Sequence, residues 1–195
     1  MDIPFNMEFS FDESLREVPV SIPDMKSGVS FLKDQLHTKD SETKEQAALN
    51  GLIGVYCRIL KNFEESKKYL LHAIEINEKL NNKKGWFVNE LRLAHTYQWE
   101  GDFQKSNGMF GKLLKDAECS QDTNDYLDFL YQHQGKNLFE QQNYELAAVF
   151  FEKALVIRME KGNEELIVST RHALEVCSNK KNDSLHIGKK KQFSE

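Results

Sequence analysis

The first 23 residues and the rest of the chain carry different hydrophobic patterns. At the start, Ile3, Phe5, Met7, Phe9 and Phe11 alternate with other residues, a strand-like period of two. All three prolines, Pro4, Pro19 and Pro23, lie there as well. Beyond them the chain is free of proline and rich in Leu, Glu, Lys, Gln and Ala, the strong helix formers. This change predicts an extended arm over residues 1–25 and an all-α body over residues 26–178. The last stretch, SNKKNDSLHIGKKKQFSE, loses the apolar periodicity and carries Lys189-Lys190-Lys191. It predicts a flexible basic tail over residues 179–195.

The body repeats itself. Three segments align: ALNGLIGVYCRILKNFEESKKYLLHAIEI from Ala48, VNELRLAHTYQWEGDFQKSNGMFGKLLKD from Val88, and FLYQHQGKNLFEQQNYELAAVFFEKALVI from Phe129. A small residue recurs at Gly54, Ala94 and Gly135, and a buried-type residue follows at Cys57, Tyr97 and Leu138. Next come an aromatic (Phe63, Phe103, Tyr144) and a small residue (Ser66, Ser106, Ala147). A large residue (Leu70, Phe110, Phe151) and the pairs Ala73-Ile74, Leu113-Leu114 and Ala154-Leu155 close each unit. Such a unit reads as two amphipathic helices joined by a tight turn. The small residues let the two backbones approach, and the large ones fill the space between them. No helix pair buries its apolar face alone, so neighbouring pairs must stack into a solenoid.

This pattern resembles the tetratricopeptide repeat (TPR) family, most clearly in QGKNLFEQQNYELAAVFFEKAL and LAHTYQWEGDF. The resemblance implies a right-handed superhelix of antiparallel helix pairs. Repeats are expected over about 47–86, 87–127 and 128–163, with a capping helix over 164–178. The early tryptophan position of the family holds Asn50, Glu90 and Tyr131, and its terminal proline is absent from all three units. Matching positions recur after 40 and then 41 residues, from Gly54 to Ala94 to Gly135, against about 34 in the family. The extra residues lengthen the helices, as in repeats that look like those of bacterial regulators and kinesin light chains. Expected turns are Lys61-Asn62, Gly101-Asp102 and Gln142-Asn143, with Gly85 and Gly162 ending helices. A leading helix is expected over Ser27–His37, its stripe formed by Val29, Leu32 and Leu36.

Composition narrows the function. The 195 residues carry a net charge of −5, which argues against nucleic acid as a main partner. Cys57, Cys119 and Cys177 are odd in number and far apart, as expected of reduced thiols in a cytoplasmic protein. No signal peptide and no membrane span are evident, so no membrane partner is expected. The six histidines show no metal-ligand spacing, and SNGMFGK lacks the features of a phosphate loop. No catalytic residue, metal or cofactor is therefore expected, and an enzyme is the weakest reading.

The first helix of each repeat then supplies the candidate binding surface. Arg92, His95 and Trp99 stand at i, i+3 and i+7, away from the packing face of Leu93, Ala94 and Tyr97. Their counterparts are Leu52, Val55 and Ile59 in the first repeat, and His133, Lys136 and Glu140 in the third. Arg58, Gln98 and Gln132 lie beside this stripe. The pattern predicts a concave groove that reads a protein or peptide bearing an acidic residue or a C-terminal carboxylate. In it, Arg58, Arg92, His95, Gln98, Trp99, Gln132, His133 and Lys136 are the partner-binding candidates. The apolar stripe of Leu52, Val55 and Ile59 needs a cover. The acidic, aromatic arm is expected to dock there, in its own chain or a neighbour, unless the leading helix covers the stripe alone. Two readings follow: a binding adaptor or regulator, and a self-associating module.

Overall fold

The computed structural model describes the backbone of residues 2–37 and 42–192 and the side chains of residues 2–36 and 42–183. The chain forms two compact units, residues 1–124 and 125–195.

Unit 1 opens with a hairpin of β1 (Phe9–Phe11) and β2 (Glu17–Pro19). They pair antiparallel, with Phe9 opposite Pro19 and Phe11 opposite Glu17. The Asp12 carboxylate accepts the backbone N–H groups of Ser14 and Arg16 at 2.8 and 2.9 Å and so holds the loop. At the tip Leu15 is buried, in a left-handed conformation with φ 62°. Six helices follow: α1 (Ile22–His37), α2 (Lys44–Ile59), α3 (Phe63–Lys79), α4 (Lys83–Glu100), α5 (Phe103–Cys119) and the single turn α6 (Gln121–Asn124). The leading helix starts before its expected Ser27 because Pro23 sits in the first turn, where a missing N–H costs nothing. Ser21 accepts the Asp24 N–H at 3.3 Å to cap it.

Unit 2 holds α7 (Leu127–Glu140), α8 (Tyr144–Lys161) and α9 (Glu164–Gln192). The last helix runs past its expected end near Ser178. No glycine or proline lies between Gly162 and Gly188, so nothing in the chain stops it. The side chains of Lys189, Lys190 and Lys191, in the expected basic tail, lie outside the described residues, as do residues 193–195.

The helices pack neighbour on neighbour, as the antiparallel pairs α2/α3, α4/α5 and α7/α8. A repeated turn sets their length. Lys61, Asn81, Gly101, Gln142 and Gly162 all adopt positive φ. An Asn or Asp follows each one: Asn62, Asn82, Asp102, Asn143 and Asn163. Four of these side chains accept a backbone N–H three residues on, at Gly85, Lys105, Leu146 and Leu166. A left-handed residue ends one helix and an Asx cap starts the next. Gly85 does not end a helix as expected. It lies in the first turn of α4, where a Cβ would stand 2.1 Å from Asn77 Oδ1. Asn81 takes the left-handed position instead.

The recurring small and large positions meet as the sequence pattern requires. A Cβ on Gly54 would stand 2.5 Å from Leu70, and one on Gly135 would stand 2.6 Å from the Phe151 ring. Leu70, Phe110 and Phe151 are fully buried. In α2/α3, Ser66 donates to the Gly54 carbonyl at 2.7 Å, so the close approach also satisfies a buried hydroxyl.

Candidate functional site

The residues expected to line an open groove are mostly covered. On α4, His95 and Trp99 are buried and Gln98 is 0% exposed. On α2, Arg58 is 4% exposed and Ile59 is buried. Arg92, Leu52 and Val55 are partly buried. The spacing correctly set His95 and Trp99 on one side of α4, but that side is packed rather than solvated.

Part of the cover is the N-terminal arm. Arg58 Nη1 donates to Glu17 Oε2 of β2 at 2.9 Å, and Glu17 is only 8% exposed. The Arg58 guanidinium lies 4.4 Å from the centroid of the Trp99 ring, and that of Arg16 lies 5.1 Å from it. Trp99 Nε1–H donates to His95 Nε2 at 3.0 Å, so that nitrogen is unprotonated and the indole is fixed in orientation. The ring thus becomes a platform for two cations. Nearer the start of the chain, Ile3 and Leu52 pack on the cluster of Val29, Leu32, Leu49, Ile53 and Cys57, so the arm, the leading helix and Leu52 of the apolar stripe meet in one cluster. A Cβ on Gly28 would stand 2.2 Å from the Met7 sulfur, which marks where the arm crosses α1. A cavity of about 370 Å3 remains under the hairpin, lined by Arg16, Glu17, Pro19, Ile22, Ile59 and Trp99 among others.

The electrostatics of this site do not balance. Arg92 Nη1 donates to Asn89 Oδ1 at 3.2 Å, and among the described residues no carboxylate pairs with it. Burial pulls its guanidinium below the ordinary arginine value, and the charge of Arg58 adds to the pull. The nearby Tyr56 hydroxyl opposes it and is itself pushed up, chiefly by burial. Arg58 engages Glu17 through one nitrogen while its Nε has no partner. Of two neighbouring arginines in a poorly solvated place, only Arg58 is thus shown paired with a carboxylate, an arrangement suited to a further anion.

In unit 2 the candidates serve a different arrangement. Gln132 Oε1 accepts from Arg158 Nη1 at 3.1 Å and from Thr170 Oγ1 at 3.0 Å. Arg158 also donates to Asp128 at 3.2 Å, to Thr170 at 2.6 Å and to the Leu166 carbonyl at 3.2 Å. Lys161 completes the neutralisation of Asp128 at 2.6 Å, where the carboxylate is 0% exposed. The network ties α7, α8 and α9 together. Lys136 is buried and His133 partly so. Arg158 went unselected in the sequence, although a signal was present: it follows Phe151 and Ala154 at i+7 and i+4, on the buried stripe of α8.

A larger cavity of about 540 Å3 lies at the other end of α4, lined by Asn77, Glu78, Asn82, Trp86, Asp116 and Cys119 among others. Two of its polar pairs are satisfied internally: Asn82 donates to Asn77 at 2.6 Å and the Trp86 indole to Glu78 at 3.2 Å. Among the described residues no group of three His, Cys, Asp or Glu side chains could hold a metal ion, and no helix is long and apolar enough to cross a membrane.

Comparison with known proteins agrees with this architecture. A tetratricopeptide repeat family model matches residues 47–80, which cover α2 and α3. PlcR of Bacillus thuringiensis, crystallised with the peptide PapR7 and DNA, is similar with a TM-score of 0.69 at 20% identity, over 81% of this chain and 57% of PlcR. The chain thus spans little more than half the length of that protein. BtubC (BKLC) from P. vanneervenii gives a TM-score of 0.59 at 15% identity, over 82% of this chain and 67% of BtubC. A Podosopora anserina putative kinesin light chain with nearly identical TPR-like repeats gives 0.53 at 14% identity, over 86% and 83% of the two chains. No curated protein matches the chain. The fold is that of the tetratricopeptide repeat proteins, all-α and built of stacked antiparallel helix pairs.

Proposed function

We propose that the chain is a non-enzymatic binding module, an adaptor or regulator whose partner is a protein or peptide presenting a carboxylate. The reading set is Arg58, Arg92 and Trp99, with His95 orienting the indole. Gln98, beside them on α4, completes the candidate surface. The observation that carries this reading is Arg92, a partly buried guanidinium with Asn89 as its neutral partner and, among the described residues, no paired carboxylate. A charge held away from water without a counter-charge is costly to keep and is relieved by an anionic ligand. The TPR fold supports the reading, as does PlcR, a similar structure whose crystals contain a bound peptide.

The test is an array of short peptides that differ in acidic side chains and in a free or amidated C-terminus. Binders of the wild-type chain are expected to lose about tenfold or more in affinity against Arg92→Ala, since a charge-assisted hydrogen bond contributes about 1.5–3 kcal/mol. Unchanged affinities across the array would refute the reading. Self-association is the second reading. Phe9, Phe11, Val18, Val20 and Ile22 are exposed on and beside the hairpin and favour it. Light scattering over a range of concentrations separates it from the first.

A further inference from the structure

We propose that the N-terminal hairpin is a built-in pseudo-ligand: the Glu17 carboxylate fills an anion site on α2 and α4 that an extended acidic segment of a partner takes by displacing it. This rests on the peptide-binding reading above and adds its regulation. The hairpin itself describes the ligand. It presents an acidic side chain on an extended strand, with a basic residue before it (Arg16) and apolar residues after it (Val18, Pro19).

The geometry shows why this occupant is replaceable. Glu17 meets Arg58 through one oxygen and one nitrogen, and Arg58 Nε stays unpartnered. An Arg–carboxylate pair is strongest when both arms of the guanidinium are engaged, so the site is only half used. Arg92 adds a second cation beside it, with no carboxylate of its own among the described residues. The cavity left under the hairpin shows that the strand does not fill the space it covers. The hairpin is also weakly built. Its two strands have three residues each, and a ribbon that short is marginal by itself. Burying one ion pair adds little net free energy, because desolvation offsets most of the attraction. Leu15 and the Arg16–Trp99 contact then supply most of the docking, and a ligand with better carboxylate geometry shifts the balance between docked and released hairpins. If the hairpin is open about a tenth of the time, it weakens apparent affinity about tenfold.

The test uses the full chain and the hairpin's own sequence as probe. The peptide ESLREVPVS, residues 13–21, is blocked at both ends and titrated by calorimetry against wild type, Glu17→Gln and Leu15→Ala. The last variant removes the buried tip residue and leaves Glu17 and Arg58 in place. The peptide is expected to bind both variants about tenfold or more tighter than wild type. A peptide carrying E17Q, which keeps Glu13, should bind none of them, and Arg58→Ala added to Glu17→Gln should abolish binding of the original peptide. Equal affinity for all three chains would overturn the pseudo-ligand while leaving a carboxylate-reading face intact. Absence of binding to any chain would overturn the pseudo-ligand and remove support from that face as well. Loss of the helical circular dichroism signal in both variants would also overturn it, since the hairpin would then be a structural part and not a removable one.

Discussion

Two classes of glycine sit inside helices of this chain, and alanine at each should have opposite effects. Gly108 and Gly111 lie within α5, exposed, and a Cβ at either would meet nothing within 4 Å. Alanine there restricts the unfolded chain and favours the helix, a gain of about 1 kcal/mol each. Gly54 of α2 has the same helical backbone, but its Cβ would stand 2.5 Å from Leu70 Cγ and 3.2 Å from the Ser66 carbonyl. Ordinary carbon contacts begin near 3.5 Å, so Leu70 must retreat by about 1 Å. Leu70 is 0% exposed and has nowhere to go. Overpacking of this kind costs about 1–3 kcal/mol, which the helix gain only partly offsets. Gly135 should suffer more, because its obstacle is the rigid Phe151 ring at 2.6 Å. The helix gain is common to both variants, so the stability gap between Gly108→Ala and Gly54→Ala is the overpacking cost, about 1–3 kcal/mol, or about 2–12 °C in Tm for a chain of this size. Thermal melts followed at 222 nm would measure it. If Gly54→Ala melts at or above Gly108→Ala, the close approach of the paired helices is not what the repeat pattern encodes.

Three further outcomes follow from buried groups. Arg158→Ala should cost about 3–5 kcal/mol in urea unfolding, and Arg158→Lys should recover little, because one ammonium cannot reach acceptors on both α7 and α9. In the native chain Cys119 alone should react with a thiol reagent, since it is exposed while Cys57 and Cys177 are buried. Burial pushes the Cys57 thiol up to about 12, with Glu65 adding to the effect, and denaturant should release all three cysteines. Burial, and after it the charges of Glu78 and Asp116, raise the Glu90 carboxyl above its ordinary value of 4.5, against the pull of Lys112. A raised carboxyl favours the protonated folded state, so its ionised form destabilises the fold above the folded pKa, and the penalty fades as pH falls toward 4.5. Glu90→Gln should therefore raise the Tm at pH 7, and the gain should shrink as pH is lowered toward 4.5.

The fold was readable because its signals are local and repeated. Gly54, Ala94 and Gly135 against Leu70, Phe110 and Phe151 state a helix-pair contact three times over, and each Asn or Asp after a left-handed residue starts a new helix. Gly85 misled because a glycine after a polar run looks like a stop, while Asn81 can adopt the left-handed conformation itself. Arg158 was passed over because a charged residue on an apolar stripe gains meaning only with its partners, and Asp128 and Thr170 are 30 and 12 residues away in sequence. The candidate site was legible as a helix face, while the depth to which His95, Gln98 and Trp99 are covered was not. Spacing gives the side of a helix a residue occupies, and says nothing of what lies against it.

By itself, the sequence determined the all-α class, the three helix pairs, the long repeat and the side of α4 that carries Arg92, His95 and Trp99. These follow from periodicity and steric size, which act over a few residues. Tertiary structure alone decided that Glu17, among the several acids of the arm, reaches Arg58 across 41 residues. It also decided that Arg16 and Arg58 both lie against Trp99, and that Arg92 has no carboxylate partner among the described residues. Pairings of that kind depend on where a chain that has already folded brings distant charges, and no local pattern specifies it.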